Sequence, residues 1–240
     1  MMKYALTAMV SSAALMLSVS VFADADHHAA KGDKSKEIKN MVHELLDENQ
    51  KYVKRHKPGA FAAQMKGQTP RATVVTCSDS RVHTTALDAT PEGDLFMIRN
   101  IGNQMATGEG SVEYGVRHLN TPLLLIVGHS SCGAVKAAMG DYSKIEAPIK
   151  RELDTIKVPG KNASNDQEVQ GSVEANVNSQ VAFAMKKFDA EVKAKTLAVV
   201  GAVYDFRNDY KQGHGKLVIV NANGETDQTK IKQSPLLAKK

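Results

Sequence analysis

From Ser35 to Lys57, apolar residues recur at three- and four-residue steps. Ile38, Met41, Val42, Leu45, Leu46, Tyr52 and Val53 fall on one side of a helix, with Asn49 among them, and Ser35 stands where it can cap the start. Pro58-Gly59 breaks this helix. A second short helix is expected over Ala60 to Lys66, ending at Gly67. Helices this polar on one face, ahead of the first strand, suit either the cover of a partner subunit or packing on their own domain.

The pattern then shortens. Arg71 to Thr76 is a β-branched run and predicts a buried strand, with Cys77 at its carboxyl end. Asp94 to Arg99 predicts a second strand, leading into Asn100-Ile101-Gly102-Asn103. Gly110 to Leu119 predicts a helix despite Gly115. Pro122 to Val127 is continuously apolar, as in a central parallel strand buried on both faces, and His129 follows at its end. Gly133 to Met139 opens a helix. Residues 143–157 read as irregularly helical and 158–166 as a turn-rich connection. Gln167 to Phe188 is a long helix with Val169, Val173, Val177, Val181, Ala184, Met185 and Phe188 on one side. Leu197 to Tyr204 and Lys216 to Asn221 are strands, and Gly213-His214-Gly215 between them predicts an edge hairpin.

This alternation predicts one α/β domain: a central, mostly parallel sheet flanked by helices, with an amino-terminal helical arm and a carboxyl-terminal edge hairpin. No internal repeat interrupts it. The chain of 240 residues suffices for one large domain, with hydrophobic residues at 42% and charged residues at 24%. The net charge of +5 lies partly towards the ends, and no basic run is interleaved with aromatics, which argues against nucleic-acid binding.

The start of the chain changes the picture more. Lys3, the apolar stretch Ala5 to Val19 and the small residues at Val21 and Ala23 form the pattern of a cleavable secretory signal. The apolar run is short for a membrane span and no basic flank follows it. The expected layout is therefore a signal peptide at 1–23, a flexible segment at 24–36, the domain at 37–222 and a polar tail at 223–240, in a periplasmic protein without stable membrane insertion. His27-His28 falls in the flexible segment.

Both cysteines fall just past predicted strands, where open parallel sheets bind ligands. In an exported protein two cysteines are by default a disulfide. Their neighbours suggest otherwise. Asp79 and Arg81 follow Cys77 at two and four residues, and His129 precedes Cys132 by three. Two thiolates and an imidazole suit zinc and leave a fourth position open.

At Cys77-Ser78-Asp79-Ser80-Arg81 and His129-Ser130-Ser131-Cys132 the sequence resembles the β-class carbonic anhydrases. The segments 91–103, 111–116 and 201–205 extend the resemblance over residues 40 to 222. It implies one zinc ion held by Cys77, His129 and Cys132. It also implies an Asp79-Arg81 dyad in which the aspartate either binds the metal, closing the site, or pairs with the arginine, leaving zinc free to bind water. Gln68, Phe96 and Tyr114 match the family's pocket lining, the aromatics reaching across a dimer interface; buried core aromatics are the plainer alternative for these two. Gly133 lets the chain turn beside the metal. Members held shut by a non-catalytic bicarbonate site carry Trp at the place of Val74, so an openable site is expected.

The implied reaction is zinc-dependent, reversible hydration of CO2 to bicarbonate and a proton, by zinc-bound hydroxide oriented by the dyad. The implied assembly is a homodimer with exchanged amino-terminal helices, in some members doubled to a tetramer. The four serines of the motif are expected to tighten turns and to hydrogen-bond the thiolates. His83 and His118 are candidate proton carriers, though ordinary surface or packed histidines are the plainer reading. Three alternatives stand beside this one: hydrolysis of carbonyl sulfide or carbon disulfide on the same fold, a non-catalytic zinc- or bicarbonate-binding protein, and a metal-free protein stapled by Cys77–Cys132.

Overall fold

The computed structural model describes residues 34–62 and 64–238. The expected signal peptide and the first ten residues of the segment 24–36 lie outside the described residues. Helix α1 (Lys34–Arg55) follows the predicted periodicity, yet none of its residues is buried. The short helix expected over Ala60 to Lys66 is not formed. The chain turns there through bonds from Ala60 N to Lys57 O and Ala62 N to Gly59 O, and a single 3-10 turn covers Gln64–Lys66. Two breakers so close together leave no room for a stable helical nucleus.

Strand β1 (Ala72–Cys77) is fully buried and runs parallel to β2 (Leu95–Asn100). Helix α2 (Glu109–Glu113) widens into a π turn at Tyr114–His118, where the continuous helix expected from Gly110 to Leu119 is interrupted; Leu119 N reaches back to Tyr114 O at 3.0 Å. Strand β3 (Leu123–His129) follows, then α3 (Gly133–Ala138), α4 (Ala147–Leu153), the long α5 (Asp166–Lys187) and α6 (Asp189–Lys193). Strands β4 (Ala198–Asp205) and β5 (Lys216–Ala222) close the sheet. Its order is β2-β1-β3-β4-β5, parallel except for the antiparallel β4–β5 edge. The residues expected as a polar tail hold a further helix, α7 (Gln228–Gln233), capped by Asp227 and anchored by buried Ile231.

The core lies between the sheet and α5. Asn165 caps α5 by accepting from the Gln167 and Glu168 amides. The helix buries Val169, Val173, Val177, Val181 and Ala184, as the spacing predicts. Val177 sits in a seat left by two glycines. A Cβ on Gly128 of β3 would come within 2.7 Å of Val177 Cγ2, and one on Gly201 of β4 within 2.8 Å of Cγ1. Two missing side chains thus let α5 approach the strands whose ends carry the site. The opposite sheet face is thinner: Leu95, Met97, Leu123, Leu125 and Leu217 there are only partly buried around Ala72, Val74 and Val127.

Candidate metal centre

Three side chains meet at the carboxyl edge of the sheet. Cys77 is the last residue of β1 and His129 the last of β3, on neighbouring strands. After β3 the chain must reverse within two residues. Ser131 adopts φ 53°, and Cys132 then starts α3 from an extended conformation. This turn brings Cys132 back to the other two. The sulfurs of Cys77 and Cys132 and a ring nitrogen of His129 all lie within 4.8 Å of one another, with all three residues buried. Both cysteines are free thiols, so the disulfide staple is not formed.

The donor set fits a soft divalent metal. His129 Nδ1 lies 3.0 Å from the Ser130 carbonyl, which can only accept, so Nδ1 carries the proton and Nε2 presents its lone pair. Nε2 is buried and has no hydrogen-bond partner. A buried nitrogen lone pair facing two thiols is the arrangement that a Cys-His-Cys ligand set requires. Ionisation of one thiol opposes ionisation of the other. The adjacent Cys132 thiol, with the His129 ring and the Gly102 N–H, outweighs burial and pulls the Cys77 thiol well below its ordinary value. The Cys77 thiolate and complete burial push Cys132 up. A cation would remove this conflict by neutralising both sulfurs.

Asp79 lies beside the trio but is not one of it. Arg81 holds it through Nε to Oδ1 at 2.9 Å and Nη2 to Oδ2 at 2.7 Å, and the Arg81 backbone N–H adds a bond to Oδ1 at 2.9 Å. These bonds, the Arg81 side chain foremost, hold the Asp79 carboxyl down at about 2. Asp79 Oδ2 stands 3.7 Å from His129 Nε2. The Asp79 carboxylate is therefore tied to the arginine.

Several supports had no signal strong enough to be read from sequence. Arg99 of β2 donates to the carbonyls of Cys77 (3.1 Å) and Asp79 (2.8 Å), fixing the turn after β1. Phe206 stacks near His129 at 6.1 Å between centroids, and Arg81 Cζ lies 5.1 Å over the same ring. The expected serine–thiolate bonds are replaced: Ser130 donates to buried Asp205 at 2.8 Å, and Cys77 Sγ instead receives the Gly102 N–H at 3.5 Å.

A cleft of about 360 Å³ reaches the trio at Cys77. Cys77, Ser78, Asp79 and Gly133 line its floor, and Ile101, Ala134, Ile149 and Leu153 make apolar walls. Of the expected pocket residues, only Gly133 is among these. Phe96 pairs with Thr73, whereas Cys77 pairs with Asn100, so Phe96 lies about 13 Å back along the strands. It packs against Tyr114, centroids 5.9 Å apart, and Tyr114 is 48% exposed. Gln68 is exposed before β1, towards the other end of the sheet. His118 stacks on Tyr114, and His83 is exposed.

Known proteins share this architecture. The carbonic anhydrase family profile matches residues 72–211. Carbonic anhydrase 2 of Mycobacterium tuberculosis is 30% identical over 160 residues, covering 62% of this chain and 74% of that protein. The carbonic anhydrase of Mycolicibacterium smegmatis is 32% identical over 157 residues, 60% and 74% of the two chains. Among solved structures, a Coccomyxa β-carbonic anhydrase in complex with acetazolamide superimposes with TM-score 0.62 at 25% identity, covering 84% of this chain and 92% of that one. A β-carbonic anhydrase of Sordaria macrospora, described as tetrameric, gives TM-score 0.65 at 24% identity over 76% and 98%. Sequence, sheet order and the placement of Cys77, His129 and Cys132 agree on one conclusion: the chain belongs to the carbonic anhydrase family, with the β-class fold.

Proposed function

We propose that this protein is a zinc-dependent carbonate dehydratase, which hydrates CO2 reversibly to bicarbonate and a proton. One observation carries the reading: the Cys77-His129-Cys132 trio has its neighbouring carboxylate tied off by Arg81. Three ligands with Asp79 held aside favour a catalytic over a closed structural centre. When bound, zinc supplies Lewis acidity that brings the pKa of water towards neutrality.

The rest of the chemistry belongs to the chain. Asp79, held near pKa 2, stays a carboxylate at working pH and acts only as a hydrogen-bond acceptor at the cleft floor. Arg81 fixes its direction through the two-point pair, with Phe206 behind the guanidinium. Ile101, Ala134, Ile149 and Leu153 give a nonpolar substrate an apolar wall and keep bulk water from it. The same wall would also admit sulfur analogues of CO2, so carbonyl sulfide or carbon disulfide hydrolysis is the second reading.

The proposed working form is a homodimer. The apolar residues of α1, with Leu45 at 72% exposure, and the partly buried outer sheet face support a second copy as cover. Gln68, Phe96 and Tyr114, far from the trio of their own chain, would then line the partner's cleft. The pattern of residues 1–23 supports export to the periplasm, which cell fractionation tests.

Stopped-flow CO2 hydration by the zinc-loaded protein, from neutral to alkaline pH, is the deciding experiment. Turnover that a chelator abolishes supports the proposal. Zinc-loaded protein without turnover, but releasing sulfide from carbonyl sulfide, replaces it with the second reading.

A further inference from the structure

The turn after β2 is held with unusual completeness. Asn100 clamps its two ends, accepting from Gln104 N at 2.6 Å and donating to Gln104 O at 2.7 Å. At its centre Gly102 has φ 79°, and a Cβ there would lie 2.8 Å from Ile156 Cδ1. The Gly102 N–H is the one that points at Cys77 Sγ. The Gly102 carbonyl accepts from Asn176 Nδ2 at 2.9 Å and from Gln104 Nε2.

Gln104 is fully buried and uses every hydrogen-bonding position of its amide. Nε2 donates to Gly102 O and, at 3.0 Å, to Asn176 Oδ1. Oε1 accepts from Thr155 Oγ1 at 2.8 Å and Gln180 Nε2 at 2.9 Å. Gln180 in turn accepts from Met105 N at 2.8 Å. The residues come from three places: the turn itself, the end of α4, and one face of α5, where Asn176 and Gln180 lie one turn apart beside the valine stripe.

Three buried amides add little to fold stability that an apolar core could not supply. What a fully satisfied polar network does supply is a single geometry for the groups it holds. Here both peptides flanking the Gly102 Cα are fixed, one against the network and the other against the Cys77 sulfur.

We propose that Gln104, Asn176 and Thr155 are positioning residues for the metal ligand Cys77: their network holds the Gly102 N–H on its sulfur and so sets the strength of metal binding. An N–H bonded to a ligating thiolate offsets part of its charge and fixes the direction of its lone pairs. The inference rests on the zinc reading of the site.

The test measures zinc affinity by chelator competition, and the thiolate-to-metal charge-transfer band of the cobalt(II)-substituted protein, for the native chain and four variants. Gln104→Met and Asn176→Ser are expected to weaken zinc about 10- to 100-fold and to move the cobalt band. Thr155→Val removes a hydroxyl at the half-buried rim, with its contacts to Gln104 Oε1 (2.8 Å) and the Glu152 carbonyl (2.7 Å); the variant is expected to fold and to weaken zinc about threefold to fivefold. Val177→Ala, on the same helix but outside the network, is the stability control: it is expected to lower Tm and leave zinc affinity alone. The proposal is overturned if the folded network variants bind zinc within twofold of the native chain with the band unmoved, or if Val177→Ala weakens zinc as much as they do. Should Gln104→Met and Asn176→Ser fail to fold, Thr155→Val decides by the same criteria. A native chain that binds no zinc defeats the metal reading itself, which is a separate and distinguishable result.

Discussion

Arg81 grips Asp79 with two parallel bonds of 2.9 and 2.7 Å, while Asp79 Oδ2 stops 3.7 Å short of His129 Nε2. The arginine thus decides where the carboxylate points. Lysine keeps the charge but not the fork. Arg81→Lys is expected to keep zinc bound and to lower kcat/KM for CO2 hydration by about 10²-fold, the scale of a small misplacement at a reacting centre. Metal content and stopped-flow rates measured on one preparation check this; native rates in Arg81→Lys would exclude the dyad from turnover.

Zinc removal should have a thiol signature. In the metal-bound protein both Cys77 and Cys132 are expected to resist thiol reagents, and activity is expected to vanish with a chelator and return with zinc. Titration of the native and stripped protein with a chromogenic disulfide reads the change from no reactive thiol to two. A stripped protein that keeps its full activity contradicts the metal reading.

Two thiolate ligands donate more charge than neutral imidazoles, so activity is expected to rise from neutral to alkaline pH. Asp79, held near pKa 2, takes no part in that rise. A profile that is flat from pH 7 to 9 would count against the thiolate-rich centre.

The acid side is governed by different groups, of which Asp205 is the most enclosed. Burial raises its pKa, but the amides of Tyr210 and Asp209 and the Ser130 hydroxyl outweigh burial and hold it below the ordinary value of 3.8. Its stabilising contribution is therefore complete above pH 3.8 and fades as pH falls through the lower folded value. Denaturant unfolding of the zinc-free protein is expected to show a gap between the native chain and Asp205→Asn at pH 5 that narrows below pH 3.8. A gap independent of pH removes Asp205 from the acid response.

Helix α1 provides a test of assembly. Leu45 and Leu46, 72% and 57% exposed, lie on its apolar face. Leu45→Glu is expected to shift sedimentation from dimer to monomer and to depress activity through loss of the partner's Gln68, Phe96 and Tyr114. Unchanged sedimentation of the variant would remove α1 from the interface.

The glycine seat under Val177 predicts a packing cost. Gly128→Ala forces a methyl into a gap that Val177 already fills, and is expected to destabilise by about 1–3 kcal/mol. Thermal unfolding of the variant measures it.

The elements of the sheet were legible because each carries a local pattern. The run from Leu123 to Val127 has no polar residue, which only a strand covered on both faces tolerates, and the valines of α5 repeat at helical steps. The meeting of the candidate ligands was legible too, since Cys77 and His129 end such strands and ligand sites gather at strand ends. The break at Pro58 was visible, but not that the residues after it would fail as a helix. Nor was the π turn at Tyr114, which depends on how that segment meets the sheet.

By itself, the sequence determined the parallel α/β sheet, the thiol and imidazole donors, and the presence of Asp79 and Arg81 beside them. Tertiary structure alone decided that Asp79 turns to Arg81 rather than towards the trio, because the turn after β1, held by Arg99, sets where the carboxylate and the Arg81 guanidinium meet. It also decided that Asn176 and Gln180, polar residues on the buried face of α5, meet the turn that carries Gly102. Periodicity records which way a residue faces along its own helix. What it meets there depends on loops from distant parts of the chain, and no local pattern encodes their approach.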